Sequence, residues 1–231
     1  MERFAAVLRC DGLSKTFHMH LRGGARIEAF RDVSLSVQSG QFLGVSGPSG
    51  SGKSSLLKCL YRTYLPSSGA IWYTDSLART VDLSSAADDT ILGLRRTEIG
   101  YVSQFFHVLP RVSALDTIAN GMVARGFSRP ESEGRARSLL ARLGIPPALW
   151  SLFPSTFSGG EKQRLNIINA VISRPRLLLL DEPTASLDAA SASEAISLIL
   201  ELKQQGTAII GVFHDRPLLD RLSDQVVELK L

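Results

Sequence analysis

Residues 47–54, Gly-Pro-Ser-Gly-Ser-Gly-Lys-Ser, lie between the apolar run Phe42 to Ser46 and a segment whose Leu56, Leu57 and Leu60 recur at helical spacing. A strand, a glycine-rich turn and a helix in that order constrain the fold more than any other feature. They predict an α/β unit in which the turn opens a helix. Glycines let successive backbone N–H groups converge on phosphate oxygens, and the helix N-terminus adds partial positive charge. Lys53 is then placed to reach outer phosphates, and Ser54 to offer its hydroxyl to Mg2+.

The rest of the chain supplies the sheet that such a unit needs. The runs Leu177 to Leu180 and Ala208 to Phe213 are wholly apolar or nearly so, with helical segments predicted over 160–173 and 191–205. Continuous apolar strands alternating with helices are what a parallel sheet covered on both faces requires. Strict alternation over Val33 to Val37 predicts a strand with one buried face, in a small sheet near the start of the chain. Ala70 to Tyr73 and Ile99 to Val102 read as further strands, residues 74–90 as an exposed Ser/Asp-rich excursion, and Ala114 to Leu143 as a helical lobe.

Composition narrows the class. With 231 residues, 44% hydrophobic, 19 Gly, 2 Cys and a net charge of +4, the chain is neither collagen-like, nor a disulfide scaffold, nor mostly disordered. Cys10 and Cys59 form no CxxC pair and are expected as buried reduced thiols. No apolar run approaches the ~20 residues that cross a bilayer, and no leader pattern opens the chain. A cytoplasmic protein without direct membrane insertion is expected. The modest positive charge reads as a solvated surface, with no nucleic-acid partner. His18, His20 and His107 have no metal-site spacing and are expected on the surface or in loops.

Residues 47–54 match the P-loop pattern, which identifies phosphate binding and leaves the coupled function open. The second chemical feature is Asp181-Glu182, two carboxylates ending the Leu177 to Leu180 run, with Pro183 beyond. In a P-loop protein the first carboxylate at such a strand end holds magnesium, usually through water. Glu182 is the candidate for polarising the attacking water.

Phe157-Ser158-Gly159-Gly160-Glu161-Lys162-Gln163-Arg164 resembles the signature segment of ATP-binding-cassette (ABC) ATPases, with Phe157 where that family has Leu and Glu161 where it has Gln. Other pieces fall in the family's order over nearly the whole chain. Gln104 resembles the glutamine that senses magnesium and the γ-phosphate, and Ser186-Leu187-Asp188 resembles the loop linking two subunits. His214 matches the switch histidine that contacts the γ-phosphate and steadies Glu182, and Phe17 matches the aromatic that stacks on adenine.

The resemblance implies an α/β P-loop NTPase of ABC ATPase type, with a mostly parallel core sheet, an antiparallel β subdomain and a helical subdomain. It implies one ATP-binding domain over 1–231, with the core and β lobe in about 1–103 and 161–231 and the helical lobe in about 104–160. ATP is the implied substrate and Mg2+ the cofactor. Glu182 and His214 are the implied catalytic pair. The ATP-binding set is Phe17, Gly47, Pro48, Ser49, Gly50, Ser51, Gly52, Lys53, Ser54, Ser55, Ser158, Gly159, Gly160 and Glu161; Ser54, Gln104 and Asp181 are the metal set. It further implies that ATP lies between two subunits, Lys53 of one facing Ser158 to Glu161 of the other, with a homodimer expected and a monomer nearly inactive.

Within the family the chain resembles the L-type ATP-binding subunit of the phosphonate carbon-phosphorus lyase system. That likeness is carried by Ser14-Lys15-Thr16-Phe17, Tyr64-Leu65-Pro66, Val102-Ser103-Gln104-Phe105, Pro154-Ser155-Thr156-Phe157-Ser158-Gly159-Gly160-Glu161, Leu165-Asn166-Ile167 and Phe213-His214-Asp215. Asn169 departs from both patterns, where Arg is usual. The narrower likeness implies an ATPase attached to a soluble complex whose other subunits form ribose 1-phosphonate 5-triphosphate from phosphonate and ATP. The alternative is the ATPase subunit of a membrane exporter, because the Phe106 to Ala124 region also resembles lipoprotein- and peptide-exporter cassettes.

Overall fold

The computed structural model describes residues 6–19, 25–104, 106 and 110–230; His20, Phe105 and His107 lie outside them. Two sheets organise the chain. Strands β1 (Leu8–Met19) and β2 (Ala25–Val37) pair antiparallel, and β1 also pairs antiparallel with β4 (Ser68–Thr74), which pairs with the short β5 (Thr80–Asp82). The result is a four-stranded antiparallel sheet of order β2-β1-β4-β5. The alternation at Val33 to Val37 belongs to the long β2, with Val33, Leu35 and Val37 buried and Ser34 and Ser36 exposed.

The second sheet is parallel and five-stranded, of order β6-β7-β8-β3-β9. Its strands are β3 (Phe42–Ser46), β6 (Ile99–Val102), β7 (Leu177–Asp181), β8 (Ala208–Val212) and β9 (Gln225–Glu228). Burial on both faces explains the unbroken apolar runs. Leu178, Leu180 and Ile209 pack into one core with the helices of the middle segment, whereas Leu177, Leu179 and Ile210 pack into the other, with α1 (Lys53–Leu60) and the antiparallel sheet.

Between β6 and β7 the described residues form α3 (Ala114–Val123), α4 (Arg129–Arg142), two 3₁₀ turns and α5 (Gly159–Val171). Ser113 and Ser128 cap α3 and α4, their hydroxyls accepting from the backbone of Asp116 and Glu131. The helix after β7 is α6 (Ala189–Gln204), capped by Asp188. The chain then runs through β8 and α7 (Arg216–Leu222) into β9.

The excursion expected over 74–90 is a structured segment. Asp75, 3% exposed, accepts from the backbone of Leu77 and Arg79 and from Arg79 Nε, folding a tight turn into β5. Leu83 is buried beyond it, and α2 (Asp88–Thr97) follows. Most of the segment is exposed, as its Ser/Asp-rich composition led us to expect, but Asp75 and Leu83 are buried within it. Among the described residues no helix is long and apolar enough to cross a membrane.

Candidate functional site

The site forms where the parallel strands end. Gly47 follows β3, Asp181 closes β7, Gln104 lies two residues after β6 and His214 two residues after β8. Although β8 lies between β3 and β7, the first turn of α1, reached from β3 through the loop, meets the end of β7: Ser54 Oγ donates to Asp181 Oδ1 at 2.8 Å. Asp181 is 1% exposed, and its Oδ2 accepts from Tyr101 at 3.2 Å. Burial, then the Asp181 carboxylate, push the Tyr101 phenol up, so it stays a donor.

Helix α1 starts where the glycine-rich loop closes. Gly52 is its N-cap in the left-handed region, φ 83°, and a Cβ there would collide with the Ala29 carbonyl of β2, so only glycine fits. Lys53 Nζ lies back over the loop, donating to the carbonyls of Gly47 and Pro48, both at 2.8 Å. Pro48, Ser49 and Gly50 are exposed at the rim, and Ser55 is half-buried on the first turn of α1. The buried hydroxyls of Ser46 and Ser51 have no hydrogen-bond partner among the described residues. A loop with polar groups in reserve, glycines against a neighbouring strand and a helix opening suits a phosphate chain. Ser54 and Asp181 present hard oxygen donors, with Gln104 exposed on the bend after β6; this set suits Mg2+.

Glu182 sits just beyond β7 with φ 50°, a left-handed conformation uncommon for a non-glycine residue. Its N–H donates to the Val212 carbonyl at 3.0 Å, which ties the turn to the end of β8. Its side chain is half-buried, and His214 is exposed on the neighbouring strand end.

Ser158, Gly159, Gly160 and Glu161 open α5 through a reciprocal capping box. Ser158 N–H and Oγ both donate to Glu161 Oε2 at 2.8 Å, and Glu161 N–H donates back to Ser158 Oγ at 3.3 Å. The Ser158 backbone and hydroxyl, with Arg164, hold the Glu161 carboxyl below its usual range. Gly160 approaches the Ser186 carbonyl so closely that a Cβ would lie 3.2 Å from it. Asp188 accepts from Ser191 N and Oγ at 2.9 and 2.8 Å and lies 3.7 Å from Arg164. This residue of the expected subunit-linking loop therefore caps a helix within its own chain.

Phe17 is half-buried on β1, its ring edge-on to Tyr64 at 5.2 Å with Lys15 Nζ 4.8 Å from its centroid. Cys10 and Cys59 are free and buried, as expected. His18 is exposed, and no metal-ligating cluster of His, Cys, Asp and Glu occurs among the described residues.

Sequence reasoning assigned no site role to Tyr101, Gln163 or Asn166. Tyr101 carried no motif, and Gln163 was read only as part of the signature. Asn166 entered only within Leu165-Asn166-Ile167, as part of the narrower resemblance; a polar residue between two apolar ones on a helix is the signal that could have marked it, and it is buried on α5.

The ABC transporter family model matches residues 30–185. The chain is 38% identical over 218 residues to the lipoprotein-releasing system ATP-binding protein LolD of Idiomarina loihiensis, covering 94% of this chain and 92% of that protein. It is 33% identical to the macrolide export ATP-binding/permease protein MacB 1 of Yersinia pestis, covering 98% of this chain but 33% of the relative. Among solved structures, the ATP-binding cassette MJ0796, a dimer in a post-hydrolysis state bound to ADP and Pi, superposes with a TM-score of 0.86 at 27% identity, covering 96% of this chain and 94% of that one. These relatives are transporter proteins. They support the ABC assignment and the exporter alternative, and lend nothing to the phosphonate-lyase reading. The chain belongs to the ABC transporter family, as an ATP-binding cassette that hydrolyses ATP.

Proposed function

We propose that this chain is the ATP-hydrolysing subunit of a membrane exporter, working as a pair of cassettes on a transmembrane partner. The observation that carries the ATPase site is the Ser54–Asp181 hydrogen bond beside Glu182, which joins the phosphate loop, a metal carboxylate and a base at one point. The exporter assignment rests on the likeness to LolD and MacB.

Lys53 exchanges the Gly47 and Pro48 carbonyls for the outer phosphate oxygens, and the loop N–H groups hold the rest of the chain. Mg2+, held by Ser54, Asp181 and Gln104, would supply charge neutralisation across the phosphates. Glu182 Oε orients the attacking water and takes its proton; His214 steadies that carboxylate. Phe17 gives the base a platform. Ser158 Oγ and the Gly159 and Gly160 N–H groups of the second copy close over the γ-phosphate. In a capping box the Glu161 carboxylate is already turned onto Ser158, which keeps its charge engaged within its own helix turn.

A second reading, the ATPase of a phosphonate carbon-phosphorus lyase complex, is carried by specific residues: Tyr64-Leu65-Pro66, the Phe157 and Glu161 variants of the signature, and Phe213-His214-Asp215. Mild affinity purification from native extract with ATP and Mg2+, followed by mass spectrometry, separates the two. A stoichiometric polytopic membrane protein supports the exporter; soluble phosphonate-processing enzymes overturn it in favour of the second reading. Lys53→Ala tests the site itself: ATP affinity equal to wild type would refute the phosphate role.

A further inference from the structure

The metal carboxylate is held from a side that no motif predicts. Tyr101 is the third residue of β6 and lies opposite Leu179 in the parallel register, two positions before Asp181 on β7. Its hydroxyl donates to Asp181 Oδ2 at 3.2 Å while Ser54 Oγ donates to Oδ1 at 2.8 Å. The two donors address different oxygens of one carboxylate.

Tyr101 is itself braced. The Tyr61 ring, at the end of α1, lies 4.8 Å from the Tyr101 ring, tilted by 33°. The Arg95 guanidinium of α2 lies 4.4 Å from the Tyr61 centroid, and its Nε and Nη2 donate to the Tyr61 carbonyl at 3.0 and 2.8 Å. Arg95, Tyr61 and Tyr101 thus form a column that joins α2, the far end of the phosphate-loop helix and β6 to one buried oxygen.

The terminal torsion of an aspartate is broad and nearly two-fold, so a carboxylate with one donor can swing. A second donor on the other oxygen removes that freedom. We propose that Tyr101 is a positioning residue for Asp181: it holds Oδ2 so that Oδ1 stays turned toward Ser54 and the cation. The proposal rests on Asp181 being the Mg2+ carboxylate. Hydrogen-bond partners behind metal ligands change metal affinity or activity by about 10–100-fold when removed.

The test is calorimetric ATP binding to the full chain at matched ionic strength, once with excess EDTA and once with excess MgCl2, for wild type, Tyr101→Phe and Asp181→Asn. The gain in ATP affinity on adding Mg2+ should shrink about tenfold in Tyr101→Phe, with the EDTA affinity unchanged. Thermal melting of each variant identifies loss of fold. Two results overturn the proposal: an unchanged Mg2+ gain in Tyr101→Phe while Asp181→Asn loses it, or a parallel loss in both conditions, which marks a purely structural role. If Asp181→Asn also keeps the full Mg2+ gain, the reading of Asp181 as metal carboxylate fails, and the proposal falls with it.

Discussion

Asn166 Nδ2 donates to the Ser103 carbonyl at 2.7 Å, joining the middle of α5 to the residue before Gln104. One turn earlier, Gln163 Nε2 donates to the Pro183 carbonyl at 3.0 Å, beside Glu182. Both side chains are buried, and Asn166 Nδ2 also lies 3.5 Å from Gln163 Oε1. A single polar strip therefore connects the helix opened by Ser158 to the loops carrying Gln104 and Glu182. Asn166→Ala removes a buried donor and leaves a small void, a change costing about 1–3 kcal/mol of stability. Denaturant unfolding checks that loss. Turnover should fall while ATP affinity holds, because the phosphate loop is on another element; equal loss of both would show that the strip matters only for folding.

Glu182→Gln keeps the size and left-handed turn of the native residue but removes the carboxylate proposed as the proton acceptor. General-base removal lowers rates by about 10²–10⁴-fold. ATP binding should persist, and an ATP-bound dimer should accumulate in light scattering. Unchanged turnover with no dimer would sink the role assigned to Glu182.

The Ser158–Glu161 box gives α5 a pH signature. The folded Glu161 carboxyl titrates below its ordinary value, so its stabilisation is present above that value and disappears as pH falls through the folded one. Melting temperatures of wild type and Glu161→Gln, followed from pH 6 downward, should converge as the carboxyl protonates. Ser158→Ala removes the cap itself and should cost about 1 kcal/mol at neutral pH.

Burial pushes the Cys10 and Cys59 thiols up to about 11. Both side chains are 0% exposed, so iodoacetamide at pH 8 should label neither until the chain unfolds. The unfolded chain releases these protons first, so the thiol contribution to stability is complete below the ordinary thiol value and is lost as pH rises toward 11. Rapid labelling of native protein would contradict the burial.

Local chemistry made part of this protein legible from its residues alone. Gly47 to Ser54 between an apolar strand and a helix, the double-faced apolar runs 177–180 and 208–213, and the carboxylates at 181–182 each carry their meaning in a few neighbouring positions. The resemblance extended this to the signature and the family; the comparisons bear out the family. Its narrower step, to the phosphonate system, rested on short residue runs, and the relatives favour a transporter.

What only the tertiary structure decided is long-range. Residues 74–90 read only as an exposed polar excursion because no local pattern shows Asp75 folding its own turn or Leu83 reaching the core. Strand order was equally invisible: Ser54, in the first turn of α1, meets Asp181 across 127 positions although β8 separates β7 from the β3 that leads into α1. Tyr101 against Asp181, 80 positions apart, and Asn166 against Ser103, 63 apart, likewise arise from the way a twisted parallel sheet and its covering helices converge. Propensity and periodicity act over a few residues, whereas these pairings are set by which faces pack together once the cores close.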